Sequence, residues 1–135
     1  MDPDDTRGLI ERNASEISRL HARIHGTVKL RGRGSAENQQ WEQACAEFHA
    51  RYDELAFPGG YTGALERITA GGPNAMEAAI CFLEVRPYFF RSGYMFKDIL
   101  RKARLAPLSD SQADRLAVVE QNLEAWRARQ KGHEA

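Results

Sequence analysis

Apolar residues recur along most of this chain with a period near 3.6, the spacing that places side chains on one face of an α-helix. Residues 6–25 carry Ile10, Asn13, Ile17, Leu20 and Ile24 as a stripe with one polar interruption. Asp4, Asp5 and Thr6 offer caps at its start, and Gly26 offers a stop. Residues 29–34, KLRGRG, read as an exposed connector. Ser35 is the candidate cap of a second helix running to about Leu55, with Trp41, Ala44, Cys45, Phe48, Tyr52 and Leu55 inward. FPGGY at 57–61 breaks the pattern. A short helix capped by Thr62 follows, carrying Leu65 and Ile68. AGGPN at 70–74 breaks it again, and Pro73 suits the first turn of a helix from Asn74 to Arg86 with Met76, Ala79, Ile80 and Leu83 inward.

Pro87 bends or restarts the chain. Ser92 and Gly93 mark the start of a helix from Tyr94 to Arg104, packed through Phe96, Ile99 and Leu100. After Ala106-Pro107, Leu108 and Ser109 form a hydrophobic staple and N-cap, and Gln112 completes a capping box. The last helix runs to about Gln130 with Leu116, Val119, Leu123 and Trp126 on one face. The expected fold is a single all-α domain over residues 1–135, a compact bundle of five or six helices or an irregular stack of helical hairpins. Residues 1–5 and 131–135 are expected to fray. FLEVRPYFF is the one stretch that a strand could claim, through Val85, Tyr88 and Phe90.

The chain has 135 residues, enough for one domain with a proper core. No apolar run is long enough to span a membrane. The polar, acidic N-terminus lacks the basic region and apolar stretch of a signal peptide. Two cysteines, Cys45 and Cys81, fall inside helical apolar patterns. The expectation is two reduced, buried thiols and a cytoplasmic protein.

Lysine plus arginine equals aspartate plus glutamate at 19 each, so no global excess advertises a polyanion or a basic partner. The balance is local. Arg86, Arg91, Lys97, Arg101, Lys102 and Arg104 stand against Asp98 alone, and Lys29, Arg31 and Arg33 form a second basic island. Glu37, Glu42, Glu47, Asp53 and Glu54 face Arg51 on the second helix. The first basic island is interleaved with Tyr88, Phe89, Phe90, Tyr94, Met95 and Phe96. A short bend does not point all of these into one core. Either the segment is the central, all-round-buried helix or part of it lines an interface.

Chemical constellations are weak. His21/His25 and Cys45/His49 each have the four-residue spacing of a helical ligand pair. In an antiparallel hairpin, however, His49 is carried a turn away from the others. No CxxC or HExxH is present, and no metal or cofactor is expected. Cys45 and His49 lack an activating third group. Ser92 in RSGY is not a nucleophile elbow, and the glycine pairs lack a phosphate-loop frame. Glu77 and Glu84 share a helix face and read as a salt-bridge pair, with Arg86, Arg91 or Lys97 as candidate partners. A DNA-reading helix starting at Asp110 would carry Gln112 to a base edge but set Asp110 and Asp114 against the phosphates. Residues 86–109 resemble segments of small helical bacterial proteins of unassigned role, a likeness that brings no functional residue with it.

The functional expectation is a non-enzymatic protein-protein interaction module, such as an adaptor, an inhibitor or an immunity-type protein. Its expected contact residues are Arg86, Tyr88, Phe89, Arg91, Tyr94, Arg101 and Arg104. The partner is expected to be another protein with an acidic surface, with a homodimer open and no membrane involved. A nucleic-acid-binding domain using the same residues is the alternative. A small ligand-binding or enzymatic bundle is the third reading, and requires a deep pocket near Glu84, Tyr94 or His49.

Overall fold

The computed structural model describes residues 2–134, and side chains for residues 2–132. The fold is all-α. Six helices follow one another: α1 Pro3–Val28, α2 Ser35–Ala56, α3 Ala64–Thr69, α4 Pro73–Val85, α5 Ser92–Leu105 and α6 Asp110–Glu134. No strand occurs among the described residues, so FLEVRPYFF is a helix end followed by an irregular link.

Both terminal helices run further than expected. Asp2 caps α1 by accepting the Asp4 N–H at 2.9 Å, and Pro3 occupies the first turn, where its missing N–H costs nothing. Thr6 is therefore a buried helical residue and not a cap. Gly26 does not stop α1, which continues to Val28 while the Thr27 hydroxyl donates back to the Arg23 and Ile24 carbonyls. At the other end α6 is helical through Glu134, and Met1 and Ala135 lie outside the described residues.

α1 and α2 form a hairpin joined by the KLRGRG turn. Ile10, Ala14, Ile17 and Leu20 of α1 are buried, so Ala14 takes the place the periodicity gave to Asn13. On α2 only Ala44, Phe48 and Ala56 are buried, while Trp41, Cys45, Tyr52 and Leu55 lie at the margin. Ion pairs line the outer seam: Arg23 with Glu47, and Arg51 with Glu16 at 3.0 Å. The acidic side of α2 is thus partly neutralised within its own hairpin.

α4 is the central element. Ala75, Met76 and every residue from Ala78 to Leu83 are buried, and it packs on α1, α3, α5 and α6. A helix buried over most of its circumference belongs in the middle of a bundle. That position goes to α4 and not to the aromatic segment after it. The α3–α4 turn passes under the α5–α6 link. Gly71, in the left-handed region at φ 84°, would place any Cβ 2.8 Å from the Pro107 ring. Gly63, not Thr62, sits at the start of α3, while the Thr62 hydroxyl donates to Asp53 at 2.7 Å.

α6 lies along α4 through Leu116, Val119 and Leu123. The capping box at its start is formed in both directions. The Gln112 N–H donates to Ser109 Oγ and the Ser109 N–H to Gln112 Oε1, each at 3.1 Å. Arg115 then fastens the helix down, 2.9 Å from Glu77 and 2.7 Å from Glu84. Arg7 reaches Glu84 from α1 at 3.1 Å. The two carboxylates that share a face of α4 are neutralised from α6 and α1, not by Arg86, Arg91 or Lys97.

Candidate interaction surface

The link from α4 to α5 spans residues 86–91. Its two ends are the two non-glycine residues with positive φ: Arg86 at 49° and Arg91 at 70°. The left-handed region crowds Cβ against the carbonyl and costs an ordinary residue about 1–2 kcal/mol. Glycine would adopt it freely. Two arginines therefore stand where the backbone prefers glycine, at both ends of one six-residue segment.

The segment is pinned between them. The Ser92 Oγ accepts the Phe89 N–H at 3.1 Å, and the Ser92 N–H returns to the Phe89 carbonyl at 2.9 Å. The Tyr52 hydroxyl of α2 donates to the Phe90 carbonyl at 2.7 Å. Phe90 stacks on His21 of α1, with centroids 4.8 Å apart and planes 22° apart. Arg91 covers the Phe90 ring, its guanidinium carbon 5.3 Å from the centroid. This link is held from α1, α2 and α5, and a surface loop ordered in this way can bind at low entropic cost.

What the link presents differs residue by residue. Tyr88 is 92% exposed and Tyr94, on the first turn of α5, is 73% exposed; Phe90 is half-exposed. Phe89 is the correction to the expected contact set. It is buried against Tyr52 and Phe82, and belongs to the core. Met95 and Phe96 are likewise buried. The crowded aromatic run thus splits, half inward and half outward.

On α5 the three-, four- and seven-residue spacings place Tyr94, Lys97, Asp98, Arg101 and Leu105 on one outer face. Leu105 is exposed too. Arg101 lies 3.3 Å from Asp98 across one turn. Arg104, three residues beyond Arg101 and seven beyond Lys97, lies at the edge of this face and is drawn to Glu120 of α6, where it ties two helices together. Arg86 lies over two rings, Phe96 at 5.0 Å and Trp126 at 5.2 Å. Among the described residues, Arg86, Arg91 and Lys97 meet no carboxylate within ion-pair distance.

Periodicity alone assigns Trp126 to the buried stripe of α6, and the structure places it at the surface. It is 41% exposed, shielded on one side by Arg86. His21, whose spacing from His25 suggests a metal ligand, is instead the platform under Phe90.

The remaining clusters do not assemble a reactive centre. Burial raises the pKa of Glu84, but the hydrogen bonds from Arg115 and Arg7 outweigh it and hold the carboxyl below its ordinary value. Glu77 is likewise raised by burial and, on balance, lowered by Gln112, Arg115 and Cys81. Cys81 is buried beside Glu77, and desolvation with that carboxylate pushes its thiol up to about 11. A thiol so protonated is a poor nucleophile. Among the described residues no group of three or more His, Cys, Asp and Glu side chains converges for a metal ion.

A recess of about 810 Å³ lies at the α3–α4 turn, bordered by Thr6, Pro58, Gly71, Pro73, Ala75 and Ala78. Glu84, Tyr94 and His49, the residues expected around a ligand pocket, do not line it. No helix among the described residues is long and apolar enough to cross a membrane. No family model matches this chain, and no curated protein or solved structure shows significant similarity to it.

Proposed function

We propose that this protein is a non-enzymatic interaction module that engages a partner protein through the α4–α5 link and the outer face of α5. The contact residues are Tyr88, Phe90, Arg91, Tyr94, Lys97 and Arg101, with Arg86 at the edge. Phe89 and Arg104 act inside the fold, the first as core and the second as a tie to α6.

One observation carries this reading. Two left-handed arginines bracket a segment that is pinned by three helices yet holds Tyr88 almost fully in water. The bracketing costs stability, and backbone strain of this kind clusters where a segment is held ready for a ligand. Tyrosine and arginine are also the side chains that anchor protein interfaces, because each buries a large area with few rotatable bonds or many donors. Cations without carboxylate partners favour an acidic surface on the other side. Two free cysteines, one half-buried and one buried, fit a reducing, cytoplasmic setting.

A photo-crosslinking amino acid placed in turn at positions 88, 94 and 42 tests the assignment in cells. Positions 88 and 94 should yield a discrete protein adduct, and exposed position 42 on α2 should not. Equal labelling from all three positions would remove the link from the interface.

A further inference from the structure

α6 outruns the helix it packs on. Gln112 and Arg115 meet Glu77 near the start of α4, and Trp126 meets Arg86 just past its end. Eight residues follow Trp126 to Glu134, a length of about 12 Å. Every residue from Glu124 to Gly132 is exposed. The overhang carries Arg127, Arg129 and Lys131 against Glu134, with Glu124 just before it. Among the described side chains neither Arg127 nor Arg129 meets a carboxylate within ion-pair distance. Arg127 is four residues beyond Leu123 and eleven beyond Leu116, and so continues the face that carries Leu116, Val119 and Leu123. That face changes from apolar to cationic where the bundle ends.

Arg86 joins this overhang to the link. Its guanidinium lies over Trp126, and Tyr88 is two residues further along the chain. We infer that the overhang of α6 and the α4–α5 link form one contact surface, and that its occupant is an acidic segment of a partner protein. The inference rests on the reading of the link given above. Charge complementarity selects the occupant: Arg86, Arg91, Lys97, Arg127 and Arg129 are cations without acids, disposed around Tyr88, Tyr94 and Trp126. A nucleic acid would need a continuous basic face. Asp98, Glu120 and Glu124 interrupt this one, and the chain's formal net charge is zero. A protein segment needs only a few carboxylates spaced to match.

The test uses the full chain with Trp41→Phe, which leaves Trp126 as the only indole. Poly-L-glutamate is titrated in at low salt while Trp126 emission is followed, with oligo-dT in parallel. A saturable change with poly-L-glutamate is expected. Its affinity should fall at least tenfold in Arg127→Glu/Arg129→Glu and at least tenfold in Arg91→Glu, with helicity by circular dichroism unchanged. Unchanged affinity in the α6 variant, with loss in Arg91→Glu, would overturn the role of the overhang and leave the link standing. Unchanged affinity in Arg91→Glu would overturn the joined surface and the link reading together, as would the absence of any saturable response. Tighter binding of oligo-dT than of poly-L-glutamate would overturn the protein partner.

Discussion

Arg91 offers the sharpest separation of fold from function. Its backbone is left-handed at φ 70°, and its guanidinium covers a half-exposed Phe90 ring. Arg91→Ala keeps the strain and loses the ring contact, a loss of about 0.5–1 kcal/mol at an exposed site. Arg91→Gly loses the same contact but relieves about 1–2 kcal/mol of left-handed strain. Against this, glycine loosens the unfolded chain by about 0.4–1 kcal/mol. Glycine should therefore be more stable than alanine at position 91 by about 1 kcal/mol, or about 3–5 °C in midpoint for a chain of this size. At Arg101, inside α5, the order should reverse by about 1 kcal/mol, because glycine is the poorer helix former. Urea unfolding followed at 222 nm on the four variants measures both differences. An alanine at 91 as stable as the glycine would refute the left-handed backbone, and with it the claim that the link is held under strain. The expected order has a functional corollary: the arginine at 91 is worth little to the fold.

Four further outcomes follow from the rest of the structure. Arg115→Met leaves Glu77 with Gln112 and Glu84 with Arg7, each carboxylate about one-fifth exposed, and should cost about 2–4 kcal/mol, measurable by urea unfolding. Because both carboxyls titrate below their ordinary value when folded, their ion pairs stabilise the protein above that value and are lost as pH falls through the folded one. Glu16 follows the same sign: the hydrogen bonds from Arg19 and Arg51 overcome its desolvation and lower it from 4.5 to about 2, so its contribution fades between those pH values. Thermal midpoints from pH 7 to 2 should fall less steeply in Arg115→Met than in the parent. Ser92→Ala leaves the buried Phe89 N–H without its partner and should cost about 1–3 kcal/mol, with faster amide exchange across residues 88–91 as the second readout. At pH 8 a thiol reagent should modify half-buried Cys45 well before Cys81, and equal rates would contradict the clasp around Cys81.

Much of the fold is legible from periodicity and capping. The Ser109/Gln112 box, the Pro73 start and the glycine breaks mark helix ends where local chemistry alone decides them. Gly26 misleads because a solvent-exposed helix end with open space around it tolerates glycine at modest cost. Trp41 and Trp126 sit on apolar stripes yet reach the surface, because a stripe gives the direction of a face and not how far its neighbours extend. The Arg115 clasp joins side chains more than thirty residues apart, and no local pattern announces which arginine meets Glu84.

The surface is legible only in outline. The coincidence of arginine and aromatic residues at 86–104 is visible in the sequence. Phe89 and Tyr88 are indistinguishable there, because a link without regular dihedrals has no period to sort inward from outward. The strain at Arg86 and Arg91 is equally invisible, since arginine gives no sign of a left-handed backbone. The role of Trp126 depends on where α4 stops beside α6, which is a tertiary fact.

The central claim is that a partner protein is held by the link and the outer face of α5. Purification from native host lysate, with and without nuclease, comparing the parent with Arg91→Glu/Arg101→Glu, tests it most directly. The account predicts a stoichiometric protein partner that survives nuclease, is retained by the parent and is lost from the variant at unchanged helicity. A partner retained equally by both, or bound material that disappears with nuclease, would contradict it.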